Sequence, residues 1–209
     1  MTTGGSAGGP SGKGSAGRVI AGTARATRLL APGAGTRPLT DRLKQALFAI
    51  LEPMLRQATV LDLFAGSGAG GIEALSRGAQ AATFVERDTG AVAVLRANLE
   101  RAHLAGPSAT VLRGDAVAWL DKAAAEGHAP FDIVLLDPPY DSPDLLIGAL
   151  ERLGRSGSIL KPGGLVVAKH FWRAAPPGQV GLLASLRTRR FGDSSLTFYE
   201  AAQGTEAQA

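Results

Sequence analysis

Cysteine is missing from all 209 residues, so disulfides and thiolate metal sites are excluded from the outset. Aromatic side chains are scarce at 5%, and a core must therefore be built mostly from Ala, Val and Leu. Only three histidines occur (His103, His128 and His170), and their scatter has no metal-ligand spacing, so no metal is expected. No apolar run reaches the length of a membrane span, and the N-terminus carries no apolar signal region, which points to a cytoplasmic protein. Internal repeats are also lacking. Two tryptophans, Trp119 and Trp172, read as packing residues.

What is present is one domain's worth of apolar sequence with an uneven charge. The net charge is +4, yet Met1–Arg42 holds six basic residues against one acid, which leaves the remainder at −1. A basic segment beside a near-neutral body is the footprint of a polyanion-binding arm. Residues 1–17 are rich in glycine without large apolar side chains and are expected to be disordered, as are 202–209. Residues 18–57 form a basic arm and helix, and 58–201 the main domain. Thr40 is placed to cap that helix, with Asp41 in its first turn and Pro53 expected to end it.

From residue 58 onward strand-like and helix-like runs alternate, which predicts a parallel sheet with helices on both faces. Near the end, two strand-like runs joined by Gly192-Asp193 read as a hairpin that adds an antiparallel edge strand. Arg187, Arg189 and Arg190 near that hairpin could extend the basic patch, although charges guarding an exposed edge strand are the favoured reading.

Two stretches carry chemistry. In "VLDLFAGSGAGGIEALSRGA" (Val60–Ala79), Gly66, Gly68 and Gly71 follow the first strand of the main domain and match G-x-G-x-x-G, a turn that lets a ligand approach bare backbone. Glu86 follows 20 residues after Gly66, where a carboxylate can take ribose hydroxyls. Asp62, at the strand end, suits a ligand with a cationic amino-acid end better than a pyrophosphate. S-adenosylmethionine is such a ligand. Asp115, beside Ala116, can accept from an adenine amino group or cap the next helix.

The second stretch is "FDIVLLDPPYDS" (Phe131–Ser142), a buried strand that ends in an acid, two prolines and a tyrosine. Residues before proline are driven to extended geometry, so Asp137 is fixed at the strand's carboxyl end and the Pro138-Pro139 turn is stiff. Acceptor oxygens here can orient an exocyclic amine of a nucleobase, with Tyr140 as a stacking face. Such a nitrogen is a poor nucleophile, and acceptors on its N–H groups draw its lone pair out toward an electrophilic methyl.

Asp-Pro-Pro-Tyr after a strand is similar to the motif of methyltransferases acting on amino groups of adenine, cytosine or guanine. The ordered chain further resembles the small bacterial 16S ribosomal RNA guanine-N2 methyltransferases of the methyltransferase D type, which modify guanine-966. "GTRPLTDR" (Gly35–Arg42), "VERD" and "FGDSSLTFY" (Phe191–Tyr199) carry the likeness beside the two stretches above. The resemblance implies a Rossmann-like seven-stranded methyltransferase sheet, S-adenosylmethionine as methyl donor and 16S ribosomal RNA in an assembled or partly assembled small subunit as substrate; a monomer is the default expectation. It implies Asp62, Phe64, Gly66, Ser67, Gly68, Glu86, Arg87, Asp115, Ala116 and Asp137 around the donor. Asp137, Pro138, Pro139 and Tyr140 form the catalytic set, and Arg25, Arg28, Arg37, Thr40 and Arg42 meet RNA. The chain departs from the family's pattern at Ala24-Arg25-Ala26, Leu39, Gln45 and Lys169. The rival readings are a DNA amino-methyltransferase, an NAD-dependent oxidoreductase and an inactive ribosome-binding factor.

Overall fold

A computed structural model describes residues 14–33 and 39–202. Its elements run β1 (Ser15–Arg18), β2 (Arg28–Leu30), α1 (Asp41–Leu55), β3 (Thr59–Leu63), α2 (Ala69–Ser76), β4 (Ala81–Glu86), α3 (Thr89–Arg101) and β5 (Ala109–Arg113). They continue with α4 (Ala116–Ala125), β6 (Phe131–Leu136), α5 (Pro143–Leu153), β7 (Leu160–Phe171), β8 (Gln179–Val180), β9 (Leu183–Phe191) and β10 (Ser194–Ala201).

The main sheet has the order β5-β4-β3-β6-β7-β10-β9-β8. The first five strands are parallel, and β10, β9 and β8 run antiparallel to their neighbours. Along β6, Ile133 and Leu135 join one core cluster while Val134 and Leu136 join the other. That period-two sorting of an all-apolar strand is what burial on both faces demands. α1, α2 and α3 cover one face, and α4 and α5 the other.

Three expectations are corrected. The sheet has eight strands rather than seven, because both hairpin strands pair and Gln179–Val180 adds a two-residue edge. α1 runs through Pro53 to Leu55. Two residues from the end, the proline ring removes only one intrahelical bond, and buried Leu51 and Leu55 hold the last turn. The described chain also starts before residue 18. Ser15–Arg18 pairs with β2, and Ala16 is buried. Residues 1–13 and 203–209 lie outside the described residues, and with them most of the expected tails.

The segment before α1 is fastened to the main domain by buried polar groups. Glu73 on α2, fully buried, accepts from the backbone N–H groups of Ile20 (2.8 Å) and Ala21 (3.1 Å) and pairs with Arg77 at 2.8 Å. Ser76 Oγ accepts from Ala24 N and donates to Ala21 O. Gly22 crosses this contact so closely that a β-carbon there would lie 1.7 Å from the Ser76 carbonyl oxygen. Buried Lys44 donates to Arg18 O, and burial pushes its ammonium below the usual lysine range. Asn98 on α3 links the segment to the glycine turn. Its side chain accepts from Leu30 N (2.7 Å) and donates to both Leu30 O (3.0 Å) and Ser67 O (2.9 Å).

Candidate active site

Parallel strands deliver their following loops to one edge of the sheet, and here those loops share one cavity of about 630 Å³. The turns after β3, β4, β5 and β6 line it, together with Lys169 of β7 and Leu196 of β10. Ala16, Pro32 and Gly33 of the N-terminal segment close another side. Six carboxylic acids border the space against two cations, Arg87 and Lys169. The lining therefore favours a cationic occupant.

The glycine turn is held in left-handed backbone at Phe64 (φ +61°), Gly66 (φ +52°) and Gly68 (φ +78°). For Phe64, a bulky residue, that conformation costs about 1–2 kcal/mol, which the surrounding structure must supply. α2 then passes so close to β4 that a β-carbon on Gly71 would lie 2.3 Å from the Phe84 ring. The last glycine of the motif is thus needed for helix-on-strand packing.

Around the turn, Asp62 accepts from Gly71 N at 2.8 Å and is 4% exposed. Burial pushes its carboxyl up to about 7, with Asp137 and Glu86 adding repulsion against the Gly71 hydrogen bond. Glu86 accepts from Gly66 N and Asp88 N, both at 2.8 Å, which ties the ends of β3 and β4 together. Asp115 uses Oδ1 to cap α4 through Val117 N (3.0 Å) and Ala118 N (2.9 Å) and still borders the cavity. Capping and lining are compatible, because its second oxygen is outside that bond. Ala116 is buried behind it, and Arg87 lies exposed at the rim.

Asp137 follows β6 directly. Its Oδ1 receives Lys169 Nζ at 2.6 Å, with the Lys169 side chain 6% exposed and that of Asp137 27%. Burial raises the Asp137 carboxyl above its usual range, while the Lys169 ammonium pulls it back. Pro138 is buried, Pro139 exposed, and Tyr140 turns its hydroxyl to Ser194 Oγ at 2.6 Å. Lys169 Nζ also stands 5.2 Å from the Tyr140 ring centroid. Sequence reasoning gave Lys169 no role. A lysine inside the apolar run "LVVAKHF" was the available signal, because a charge placed there must find a buried partner.

All the expected donor and catalytic residues except Gly68 line this cavity; Gly68 stands just behind the turn as the N-cap of α2. The expected RNA residues that are described do not enter it. Arg25, Arg28 and Arg42 are exposed outside, and Thr40 spends its hydroxyl on the α1 cap, accepting from Leu43 N at 3.3 Å. Arg37 lies outside the described residues. Trp119 packs on the core beside Phe131 and His128, as expected, whereas Trp172 belongs to neither core cluster.

Residues 17–200 match the family described as conserved hypothetical protein 95. A relative in Bacillus subtilis, named putative rRNA methyltransferase YlbH, is 38% identical over 184 residues, covering 88% of this chain and 98% of its own. Ribosomal RNA small subunit methyltransferase D of Escherichia coli is 42% identical over 124 residues, which is 59% of this chain and 60% of that relative's length. The solved structure of the putative methyltransferase yhhF from Escherichia coli superposes with a TM-score of 0.77 at 31% identity, covering 90% of this chain and 99% of that one. Sequence and superposition therefore lead to the same group: the chain belongs to the conserved hypothetical protein 95 family and has a Rossmann-like methyltransferase fold.

Proposed function

We propose that the protein methylates the exocyclic N2 amine of a guanine, position 966, in 16S ribosomal RNA, with S-adenosylmethionine as donor. One observation carries the reading: Asp137-Pro138-Pro139-Tyr140 opens into the same cavity as the glycine turn, Asp62 and Glu86. The names of the relatives above support RNA as substrate, and a volume of about 630 Å³ lies within the range of small-molecule sites.

The residues fit the donor. Asp62, buried and in no ion pair among the described residues, faces a space suited to an ammonium group. Glu86 retains lone pairs for ribose hydroxyls, and Asp115 has an oxygen for the adenine amine. A pyrophosphate would instead meet the Asp62 charge, which disfavours a nicotinamide dinucleotide. When bound, S-adenosylmethionine supplies an electrophilic methyl group on a sulfonium.

The chain's own contribution is alignment and charge. Asp137 accepts an N–H of the target amine, and the rigid proline pair fixes its direction. Lys169 opposes the effect of burial on that carboxyl and so favours its ionised, accepting form. Tyr140 offers a face for the base, worth about 1–3 kcal/mol. The amine gains a methyl and loses one proton, to Asp137 or to water. Positioning of this kind, without covalent catalysis, can supply most of a rate enhancement.

The N-terminal segment (residues 18–57) is assigned to phosphate contacts through Arg25, Arg28, Arg37 and Arg42, and residues 58–201 to methyl transfer. Mass mapping of small-subunit RNA from a deletion strain tests the site: loss of one methyl from the guanine is expected. Methylation of purified particles by wild type but not by Asp137→Ala is expected as well. An unchanged RNA mass profile in the deletion strain refutes the proposal.

A further inference from the structure

The antiparallel register extends the cavity's own sheet face outward. Directly paired residues in adjacent antiparallel strands share a face. Lys169 pairs with Leu196, and Leu196 with Arg189; Val167 pairs with Phe198, and Phe198 with Arg187. Lys169, Val167 and Leu196 line the cavity. Arg189 and Arg187 are therefore the next positions outward on that face, about 10 Å from the β7 row at two strand spacings. Both are exposed. Arg187 lies over the Phe198 ring, 5.3 Å from its centroid.

A second line of side chains leaves the cavity past the end of β7. Tyr140 neighbours Phe171 at 6.3 Å between ring centroids, and Phe171 neighbours Trp172 at 6.2 Å. Over Trp172 sit two guanidinium groups, Arg190 at 3.7 Å and Arg173 at 4.6 Å. Among the described residues, none of Arg173, Arg187, Arg189 and Arg190 joins an ion pair, whereas Arg18, Arg77, Arg152 and Arg155 all do. β9 from Leu183 to Phe191 contains no acid. Guarding an edge needs one or two charges; it does not need an aromatic and guanidinium stack that begins at the base-holding tyrosine.

Arg190 pairs with Ser195, so it leaves the sheet on the face opposite Arg187 and Arg189 and meets Trp172 past the end of β7. We propose that Trp172, Arg173, Arg187, Arg189 and Arg190 form a second RNA-binding surface that wraps this end of the sheet, separate from the N-terminal basic segment. It holds the strand flanking the target nucleotide as it leaves the cavity. The chemistry is that of single-stranded RNA recognition, in which guanidiniums meet phosphates and an aromatic ring stacks a base. This proposal rests on the RNA-methyltransferase reading and adds a location to it.

Fluorescence anisotropy with small-subunit RNA, over a salt series, tests it in the full-length chain. Arg187→Ala/Arg189→Ala should bind about tenfold more weakly, with the slope of log affinity against log salt shallower by about 1.4–1.8. Trp172→Ala should lower affinity with little change of slope. In turnover, KM for RNA should rise with kcat nearly kept. Arg155→Ala, on the other side of the sheet, serves as the control and should leave the slope unchanged. Arg187→Glu/Arg189→Glu guards against a silent result, since charge reversal should abolish binding while thermal melting and affinity for S-adenosylhomocysteine stay at wild-type values. Wild-type binding with unaltered variants overturns this surface alone. Loss of binding to protein-containing particles with naked RNA unaffected also overturns it, in favour of a protein partner. A wild-type chain that binds and methylates no RNA overturns the underlying reading and the surface with it.

Discussion

Donor affinity should depend on pH through Asp62. Its carboxyl is pushed up to about 7 by burial, so at pH 6 most molecules carry it protonated. A ligand ammonium placed beside it is held only by the ionised form, so binding must expel the proton. With a midpoint near 7, the ionised fraction is about 9% at pH 6 and about 50% at pH 7, which makes affinity about fivefold weaker at pH 6. At pH 5.5 the deficit reaches about fifteenfold. The ligand's own α-amino group stays protonated through this window, so it does not mask the trend. Calorimetry with S-adenosylhomocysteine, in buffers of different ionisation enthalpy, should show close to one proton released at pH 6. Asp62→Asn should bind weakly and without pH dependence. Stability follows the opposite sign. A carboxyl whose folded-state midpoint is raised stabilises the fold at low pH, and that contribution is lost as pH climbs from 3.8 to 7, about 4 kcal/mol in all. Asp62→Asn keeps an acceptor for Gly71 N and should melt higher than wild type at pH 8 in the absence of ligand. Flat affinity and no proton release between pH 5.5 and 7 would show that Asp62 does not hold the donor's ammonium.

Three other perturbations test the remaining parts. Lys169→Met removes the group that pulls the Asp137 carboxyl down, so the acid limb of the methylation pH profile should move to higher pH, with activity lost at neutral pH and partly recovered as the pH is raised. A pH profile unchanged from wild type would show that Asp137 needs no cation. Glu73→Ala strips the clasp on Ile20 and Ala21 and leaves Arg77 only its exposed partner Glu52, a loss of about 2–4 kcal/mol in urea unfolding, with faster tryptic cleavage after Arg25 and Arg28. Gly71→Ala forces a methyl into Phe84 and should cost about 1–3 kcal/mol of stability and weaken donor binding, both measurable by ligand-dependent melting.

Much of this site is legible in local sequence because its parts punctuate strands. Gly66 and Gly68 turn the chain after β3 in a way few other residues permit, Gly71 lets α2 close on β4, and Asp137-Pro138-Pro139 ends β6 with restrictions written into the proline rings. Glu86 follows from its spacing to the turn. What local sequence hid depends on partners distant along the chain. Lys169 is 32 residues from Asp137, and Glu73 is 53 from Ile20, so neither buried charge betrays its partner by periodicity. The same limit applies to β10, whose place between β7 and β9 is set by pairing across the sheet rather than by the hairpin signal itself. Pro53 shows the converse: a strong local stop overridden by the burial of Leu51 and Leu55.

One carboxamide, that of Asn98, grips both the basic segment at Leu30 and the glycine turn at Ser67. Both ends of that grip are main-chain atoms, so a chimaera that exchanged only the first forty residues would keep it wherever the incoming strand laid its backbone along the same line. Changing Asn98 itself would instead loosen leader and donor turn together, so a specificity swap between relatives should leave that one side chain untouched.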